Sequence, residues 1–207
     1  MFAELDHLLW AAPDLQAGTD TFDALTGVRP VMGGSHPGFG TRNSLLSLSP
    51  TTYLEVIAPD PDQDLNGTMG GELAALTAPK LWLFALSTRE LGRVAEAARS
   101  VGLTVADPVE MSRTKPDGVR LDWSIMPLAD DRWPGKLPFF IDWQGSLHPA
   151  NTTPGGVTLD AFMTIDPNPD ALREVYAAIG CKVPVHGGVS PGFVAHLNTP
   201  KGSVVLT

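Results

Sequence analysis

The chain is poor in cysteine and in basic residues, and each shortage excludes a class of protein. Its 207 residues include one cysteine, Cys181, which excludes an intrachain disulfide framework and a cysteine-based zinc site. Asp and Glu outnumber Lys and Arg by 23 to 14, and the resulting net charge of -9 argues against binding to nucleic acid or to anionic membranes. We therefore expect neither nucleic acid nor a membrane as a partner.

Long apolar runs are also missing from the sequence. No segment approaches the roughly 18 apolar residues that a membrane span needs. The N-terminal residues have no basic region and no long apolar region, so we expect no signal peptide and a cytoplasmic location. What the chain does have is 21 glycines and 19 prolines, a content typical of a globular fold with many short strands and tight turns.

Two stretches near the N-terminus recur near the C-terminus at an offset of 154 residues. The second copy keeps the glycines and apolar residues but lacks His7 and, if Pro200 matches Pro50, has Val205 in place of Glu55. If these polar side chains only stabilised the fold, both copies would need them, so their loss indicates a chemical role in the first copy. The matching stretches are Leu5-Asp6-His7 with Leu159-Asp160-Ala161, and residues 33–39 with residues 187–193.

Three segments of the chain show the same predicted order of elements, namely a strand, a helix and three strands. Asp14 and Gly27 predict the start and the end of the first helix. Two further helices are predicted over residues 72–76 and 89–101, the second capped by Thr88. The residues Lys115-Pro116-Asp117-Gly118 predict a turn in the second segment. We interpret the chain as a single α+β domain, residues 1–207, built from three βαβββ modules. The modules lie at about residues 4–58, 81–145 and 157–207.

A repeated βαβββ module resembles the glyoxalase-like branch of the vicinal oxygen chelate superfamily, which includes glyoxalases, bleomycin resistance proteins and dioxygenases. The resemblance covers nearly the whole chain. It implies modules that form curled mixed sheets with helices on the outer face, and a small-molecule site in the concave face. The motifs that carry the resemblance are Leu5-Asp6-His7-Leu8-Leu9-Trp10, residues 34–43, Tyr53-Leu54-Glu55-Val56-Ile57-Ala58, and Pro138-Phe139-Phe140-Ile141-Asp142-Trp143 followed by His148-Pro149.

The resemblance also implies metal ligands on the first and last strands of each module, and His7 and Glu55 fit these places. Imidazole and carboxylate groups are good ligands for a divalent first-row metal. Two protein ligands leave positions open for water or substrate oxygens, which Lewis-acid catalysis requires. The residues alone leave two other interpretations open. His7 is also explained as a core histidine bonded to a backbone carbonyl, and Glu55 as an outward-facing residue of a half-exposed strand.

The second half of this metal site depends on which modules pack together. If the first module pairs with the second, Trp82 and Asp142 are the opposing residues. Asp142 and the nearby His148 would then complete a four-ligand set with His7 and Glu55, suited to Fe(II), Mn, Zn or Ni. If the first module pairs with the third, the opposing residues are apolar and no four-ligand site is possible. Asp142 is also explained as a solvated strand-end carboxylate, and His148 as an ordinary loop residue.

Other residues are candidates for catalysis or for substrate binding. We predict Glu55 and His36 as the catalytic residues, because the unperturbed pKa of histidine, about 6.5, suits proton transfer. His36 is also explained as a histidine of a surface turn. The predicted substrate-binding residues are Asn43, Trp82, Arg113 and Trp143. The two tryptophans are also explained as core residues, and Arg113 as a solvated residue.

Two functions follow from these candidates. The first is an enzyme that acts on a small molecule by divalent-metal-assisted lyase, isomerase or dioxygenase chemistry. The second is a metal-free protein that binds or sequesters a small molecule, with the tryptophans around the ligand. Three similar modules leave one without a partner of its kind in the chain, so we also expect a homodimer.

Overall fold

The computed structural model describes residues 3–114 and 118–207, so the turn predicted at residues 115–118 lies outside the described residues apart from Gly118. The chain divides into two compact units, each assembled from three separate segments. Neither unit is therefore a continuous module of the sequence. The first unit contains the residues up to His7, Leu83–His148 and Phe162–Phe193. The second unit contains Leu8–Trp82, Pro149–Ala161 and Val194–Thr207.

The described residues form strands and four α-helices in the order that the modules predict. The strands are β1 (Glu4–Ala11), β2 (Val31–His36), β3 (Thr41–Ser49), β4 (Thr52–Pro59), β5 (Lys80–Ser87), β6 (Thr104–Val105), β7 (Val109–Thr114), β8 (Arg120–Met126), β9 (Leu128–Ala129), β10 (Phe139–Asp142), β11 (Thr158–Asp166), β12 (Val185–Gly187), β13 (Gly192–Thr199) and β14 (Gly202–Leu206). The helices are α1 (Leu15–Thr26), α2 (Met69–Ala74), α3 (Leu91–Ser100) and α4 (Pro169–Ala178). The α+β class and the repeated βαβββ order are confirmed.

Helix α1 begins and ends at the residues that the sequence predicts. The side chain of Asp14 accepts a hydrogen bond from the backbone N–H of Ala17, which satisfies a donor that the first helical turn leaves unpaired. Gly27 ends the helix in the left-handed conformation, with φ of 78°, which a residue with a Cβ adopts only at a cost. The helix buries Phe22 completely.

The two middle helices begin at residues other than those predicted. Helix α3 starts at Leu91 rather than Arg89, because the side chain of Thr88 bonds the N–H of Glu90 in a local turn instead of capping the helix. Helix α2 starts at Met69 rather than Glu72, and Thr68 is its capping residue.

In the second unit, β3 pairs antiparallel with β2 on one side and β4 on the other, and the second half of β1 follows β4. Every residue of β4 is buried, including Glu55. The register places Leu45 opposite Glu55, and Asn43 opposite Ile57. The β2–β3 register shifts between Met32 and Gly34, which is a β-bulge.

In the first unit, the beginning of β1 is followed in order by β5, β10, β8 and β7. Strand β10 pairs parallel with β5 and antiparallel with β8, and β8 pairs antiparallel with β7. Ala85, Leu121, Trp123 and Ile141 form a buried cluster among these strands. The second module also contains the short strands β6 and β9, which the sequence did not predict, because two residues are too few to show a periodic pattern.

The third module contributes to both units. In the first unit, the end of β11 pairs parallel with β12, and in the second unit β13 pairs antiparallel with β14. Helix α4 buries Leu172 and Tyr176. Within residues 3–114 and 118–207, no helix combines the length and the apolar composition that crossing a membrane requires.

Candidate functional site

Three residues predicted separately as site residues lie in one hydrogen-bonded group in the second unit. The amide Nδ2 of Asn43 donates to Oε1 of Glu55 over 2.9 Å and lies 3.1 Å from Nε2 of His36. His36 Nε2 and Glu55 Oε1 are 3.9 Å apart, so one amide nitrogen contacts two groups that lie close to each other. We call these residues the His36–Asn43–Glu55 network. The register explains the contact, because Asn43 and Glu55 form a diagonal pair across β3 and β4.

The partners of Asn43 fix the orientation of its amide. Its Oδ1 accepts the backbone N–H of Gly34 over 3.0 Å, so the Nδ2 side must face Glu55 and His36. Because Nδ2 only donates, Nε2 of His36 acts as the acceptor in that contact. The proton of neutral His36 is then on Nδ1, which lies 2.9 Å from Oγ1 of Thr41. The network therefore selects one tautomer of His36.

Gly33 on β2 has no side chain, and this absence lets the side chain of Asn43 approach β2. A Cβ atom on Gly33 would overlap Oδ1 of Asn43 and would lie 3.0 Å from Cγ of Leu45. Thr41 and Asn43 are both buried while Arg42 is half-buried, as expected for residues that alternate between the two faces of β3. The bulged strand β2 and the alternation of β3 thus place Asn43 against Glu55.

A second polar group lies in the first unit around the carboxylate of Asp6. Its Oδ1 is 2.6 Å from Nδ1 of His7. Its Oδ2 accepts a hydrogen bond from Nε1 of Trp143 over 3.0 Å and lies 3.2 Å from Nε2 of His148. We call these four residues the Asp6 cluster. Asp6 is 0% exposed and His7 is 1% exposed, so the cluster holds a carboxylate away from bulk water.

The two histidines beside Asp6 keep its carboxylate ionised. Burial by itself would raise the pKa of Asp6, but the hydrogen bonds with His148 and His7 and the charges that these histidines carry when protonated lower the pKa to about 2. Aromatic rings hold the histidines in place. The ring of Phe139 lies edge-on to His7 at 5.4 Å, and the ring of Trp143 lies edge-on to His148 at the same distance.

The other predicted site residues have local contacts of their own. The Asp142 carboxylate accepts the backbone N–H of Gln144 over 2.9 Å. Trp82 is half-buried, with Nζ of Lys80 4.8 Å from the centre of its ring. Arg113 lies opposite Leu121 on β7. The substrate-binding roles of Trp82, Arg113 and Trp143 stay predictions.

The two polar groups include three of the four side chains predicted as metal ligands. In the part of the chain that the structure describes, no group of three or more His, Cys, Asp or Glu side chains is arranged to hold a metal ion. The ligand roles predicted for His7, Glu55, Asp142 and His148 therefore stay predictions. Cys181 is buried and burial raises the pKa of its thiol to about 12, so it is not an activated nucleophile.

Asp6 is the residue of these two groups that sequence reasoning missed. It occurs in both copies of the internal repeat, as Asp6 and Asp160, so comparing the copies placed it in the shared scaffold. The two positions differ in the structure, because Asp6 is buried and Asp160 is exposed. The available signal was the carboxylate directly beside His7, since histidines at functional sites are commonly oriented by a carboxylate.

A family model described as a glyoxalase-like domain matches residues 5–180. The chain belongs to the glyoxalase-like domain family. The match places it in the vicinal oxygen chelate superfamily, which confirms the resemblance drawn from its motifs. No curated protein sequence matches this glyoxalase-like protein at a significant level.

Solved structures with similar folds have low sequence identity to this glyoxalase-like protein. A hypothetical protein from Staphylococcus aureus has a TM-score of 0.71 at 16% identity, covering 93% of this chain and 88% of that one. A variant of Streptomyces coelicolor methylmalonyl-CoA epimerase in complex with 2-nitronate-propionyl-CoA has a TM-score of 0.52 at 19% identity, covering 71% and 99%. A methylmalonyl-CoA epimerase in complex with methylmalonyl-CoA and ammonium has a TM-score of 0.50 at 21% identity, covering 72% and 100%. The fold is therefore related to that of such enzymes.

Proposed function

We propose that this glyoxalase-like protein is an enzyme that moves a proton on a small substrate whose C–H bond lies next to a carbonyl group. This is isomerase or lyase chemistry. The observation that carries the proposal is the His36–Asn43–Glu55 network, in which a buried carboxylate and an imidazole contact the same amide nitrogen. Among the reaction classes predicted from the sequence, proton transfer is the one for which these residues supply the groups.

In this proposal Glu55 is the base. Its residue is 5% exposed, and the amide of Asn43 holds Oε1 in one place. A carboxylate that is shielded from water and held in one orientation needs little reorganisation when it accepts a proton from the substrate. Asn43 is a neutral donor, so it stabilises the carboxylate without adding a charge that would oppose protonation.

His36 is the group that exchanges the proton with water. Its side chain is 16% exposed, against 7% for Glu55. The distance of 3.9 Å from its Nε2 to Oε1 of Glu55 is about 1 Å beyond hydrogen-bond range, and a small displacement of the Asn43 amide brings the two into contact. Because Nε2 of His36 is the acceptor nitrogen, it can take the proton from Glu55.

The proposed ligand for the divalent metal that the sequence predicts is His7. The Nδ1 atom of His7 faces the ionised Asp6 carboxylate, so the lone pair is on Nε2, and metal-bound histidines commonly donate their other N–H to a carboxylate in this way. When bound, a metal would supply Lewis-acid chemistry. His7 would hold the metal and Asp6 would keep its ring oriented.

The proposal is tested by transfer of deuterium from solvent to substrate. The probes are 2-oxoaldehydes and epimerisable acids, including methylmalonyl-CoA, and incorporation at the acidic carbon is followed by proton NMR. The wild type should incorporate deuterium, and Glu55→Gln should lose isomerisation and incorporation together. His36→Gln should keep part of the isomerisation but incorporate less deuterium, because the proton returns to the substrate before it exchanges.

Two exposed residues outside the network provide matched controls. Glu96→Gln and His196→Gln remove the same groups at exposed positions and should behave as the wild type. Turnover that survives Glu55→Gln would contradict the proposal. Binding of a probe without turnover or exchange would favour the second function, a metal-free protein that binds small molecules.

A further inference from the structure

The carboxylate of Asp6 is shared by two histidines that contact it through different ring atoms. His7 contacts it through Nδ1 at 2.6 Å, whereas His148 contacts it through Nε2 at 3.2 Å. The indole N–H of Trp143 donates to the same oxygen as His148, and this group can only donate. Together these three residues contact both oxygens of a side chain that bulk water does not reach.

The chemistry of the Asp6 contacts decides where the histidine protons are. A carboxyl group is a much stronger acid than an imidazolium, so the buried Asp6 carboxylate accepts in both contacts. Both histidine nitrogens that face it must therefore carry a hydrogen atom. In each neutral ring the other nitrogen then carries the lone pair, which is Nε2 in His7 and Nδ1 in His148.

We propose that Asp6 is a positioning residue that fixes opposite tautomers in His7 and His148. Each histidine then presents one defined acceptor nitrogen to a hydrogen-bond donor or to a cation. A carboxylate that anchors two imidazoles restricts the rotation of both rings at the same time. That this orientation serves catalysis rests on the proposed function, while the tautomers themselves do not depend on it.

The internal repeat shows that the strand does not need this arrangement to form. Asp160 occupies the matching place in β11, where it is exposed and is followed by Ala161 instead of a histidine. The same Leu-Asp sequence thus lies in a strand in both copies. The buried contacts of Asp6 are specific to the copy that carries His7.

The test is a long-range proton–nitrogen NMR correlation on isotope-labelled protein at alkaline pH, where an ordinary imidazole is neutral. The expected spectrum of the wild type has His7 protonated on Nδ1 and His148 protonated on Nε2. The exposed histidines His186 and His196 give the reference pattern of rings that no buried carboxylate constrains. A wild-type spectrum with the His7 hydrogen on Nε2 would overturn the proposal, and this measurement needs no variant and no substrate.

Asp6→Asn provides the second arm of the test. An asparagine offers one acceptor and one donor, so it cannot accept from both histidines, and at least one ring should change its tautomer. Asp160→Asn is the matched control and should leave both rings unchanged. If Asp6→Asn also leaves both tautomers unchanged, Asp6 does not set them and the proposal is wrong. If the variant does not fold, the wild-type spectrum decides.

The two proposals fail in different experiments. The Asp6 cluster and the His36–Asn43–Glu55 network have no residue in common. Absence of deuterium exchange would therefore contradict the proposed function and leave the tautomers of His7 and His148 as they are. Wrong tautomers would contradict the role of Asp6 and leave the exchange by Glu55 unaffected.

Discussion

The side chain of Asn43 donates a hydrogen bond to Glu55 over 2.9 Å, from β3 to a position diagonally across on β4. Glutamate is rarely buried without a partner, and here a neutral amide is a partner that leaves the carboxylate able to accept a proton. The same amide is within hydrogen-bond distance of His36. One side chain therefore organises both residues that the sequence marks as catalytic.

Removal of Asn43 should cost stability as well as activity. In Asn43→Ala the buried Glu55 carboxylate and the backbone N–H of Gly34 both lose a hydrogen-bond partner. We expect the free energy of unfolding to fall by about 1 to 3 kcal/mol, measured by urea denaturation. Asn66→Ala changes an exposed residue of the same unit, and its free energy of unfolding should fall by much less. Equal losses in the two variants would contradict a structural role for the amide.

A methyl group at position 33 should disturb the same network from the opposite side. The Cβ of Gly33→Ala would overlap Oδ1 of Asn43, so the amide must move away from Glu55. We expect a loss of about 1 to 3 kcal/mol of stability, as is usual for overpacking, together with reduced deuterium exchange. Gly155→Ala is the control, because a Cβ there meets no atom within 4 Å. Normal exchange by Gly33→Ala would show that the position of Asn43 does not matter.

The lowered pKa of Asp6 predicts how stability changes in acid. The pKa is about 2 in the folded protein and 3.8 in an unperturbed side chain. Ionised Asp6 therefore contributes stability above pH 3.8, and this contribution of about 2 kcal/mol is lost as the pH falls from 3.8 towards 2. His148→Ala removes a hydrogen bond that lowers this pKa, so its unfolding free energy should depend less steeply on pH in that range.

Urea denaturation across this pH range measures the difference between the two proteins. His186→Ala is the control, because it removes a histidine that is exposed. It should follow the wild type at every pH. If His148→Ala has the same slope as the wild type, His148 does not stabilise the ionised form of Asp6.

The proposed metal ligand can be tested without any substrate. We expect wild-type protein, purified without chelators and reconstituted with Mn, Fe(II), Ni or Zn, to retain metal in elemental analysis. His7→Ala should retain much less, because the alanine has no nitrogen to bind it. His186→Ala should retain as much as the wild type. Equal metal in His7→Ala and wild type would contradict the role of His7, as would a wild type that binds none of the four.

Much of the fold could be predicted because its signals are local. Asp14 and Gly27 mark the two ends of α1 by their own capping chemistry, and the strands of the modules follow from short apolar runs between turns. Strands β6 and β9 were not predicted, because a strand of two residues is too short to show a periodic pattern of apolar residues. The starts of α2 and α3 were missed because hydrogen bonds of Thr68 and Thr88 decide them.

The site was predicted residue by residue, but its connections were not. The sequence marks His36, Asn43 and Glu55 as candidates, yet the bulge in β2 and the β3–β4 register determine that they meet. Asp6 was missed because it is present in both copies of the repeat, and only burial distinguishes it from Asp160. Trp143 was predicted to contact substrate, and its indole N–H bonds Asp6.

Chemical rescue of a Glu55→Ala variant tests the central claim most directly. If the carboxylate of Glu55 is the base, removing it should abolish deuterium exchange into the substrate. Added formate, which is small enough to enter the space left by the side chain, should restore part of the exchange in proportion to its concentration. The exposed Glu96→Ala should exchange normally and should not respond to formate. Exchange by Glu55→Ala at the wild-type rate without formate would contradict the assignment of Glu55 as the base.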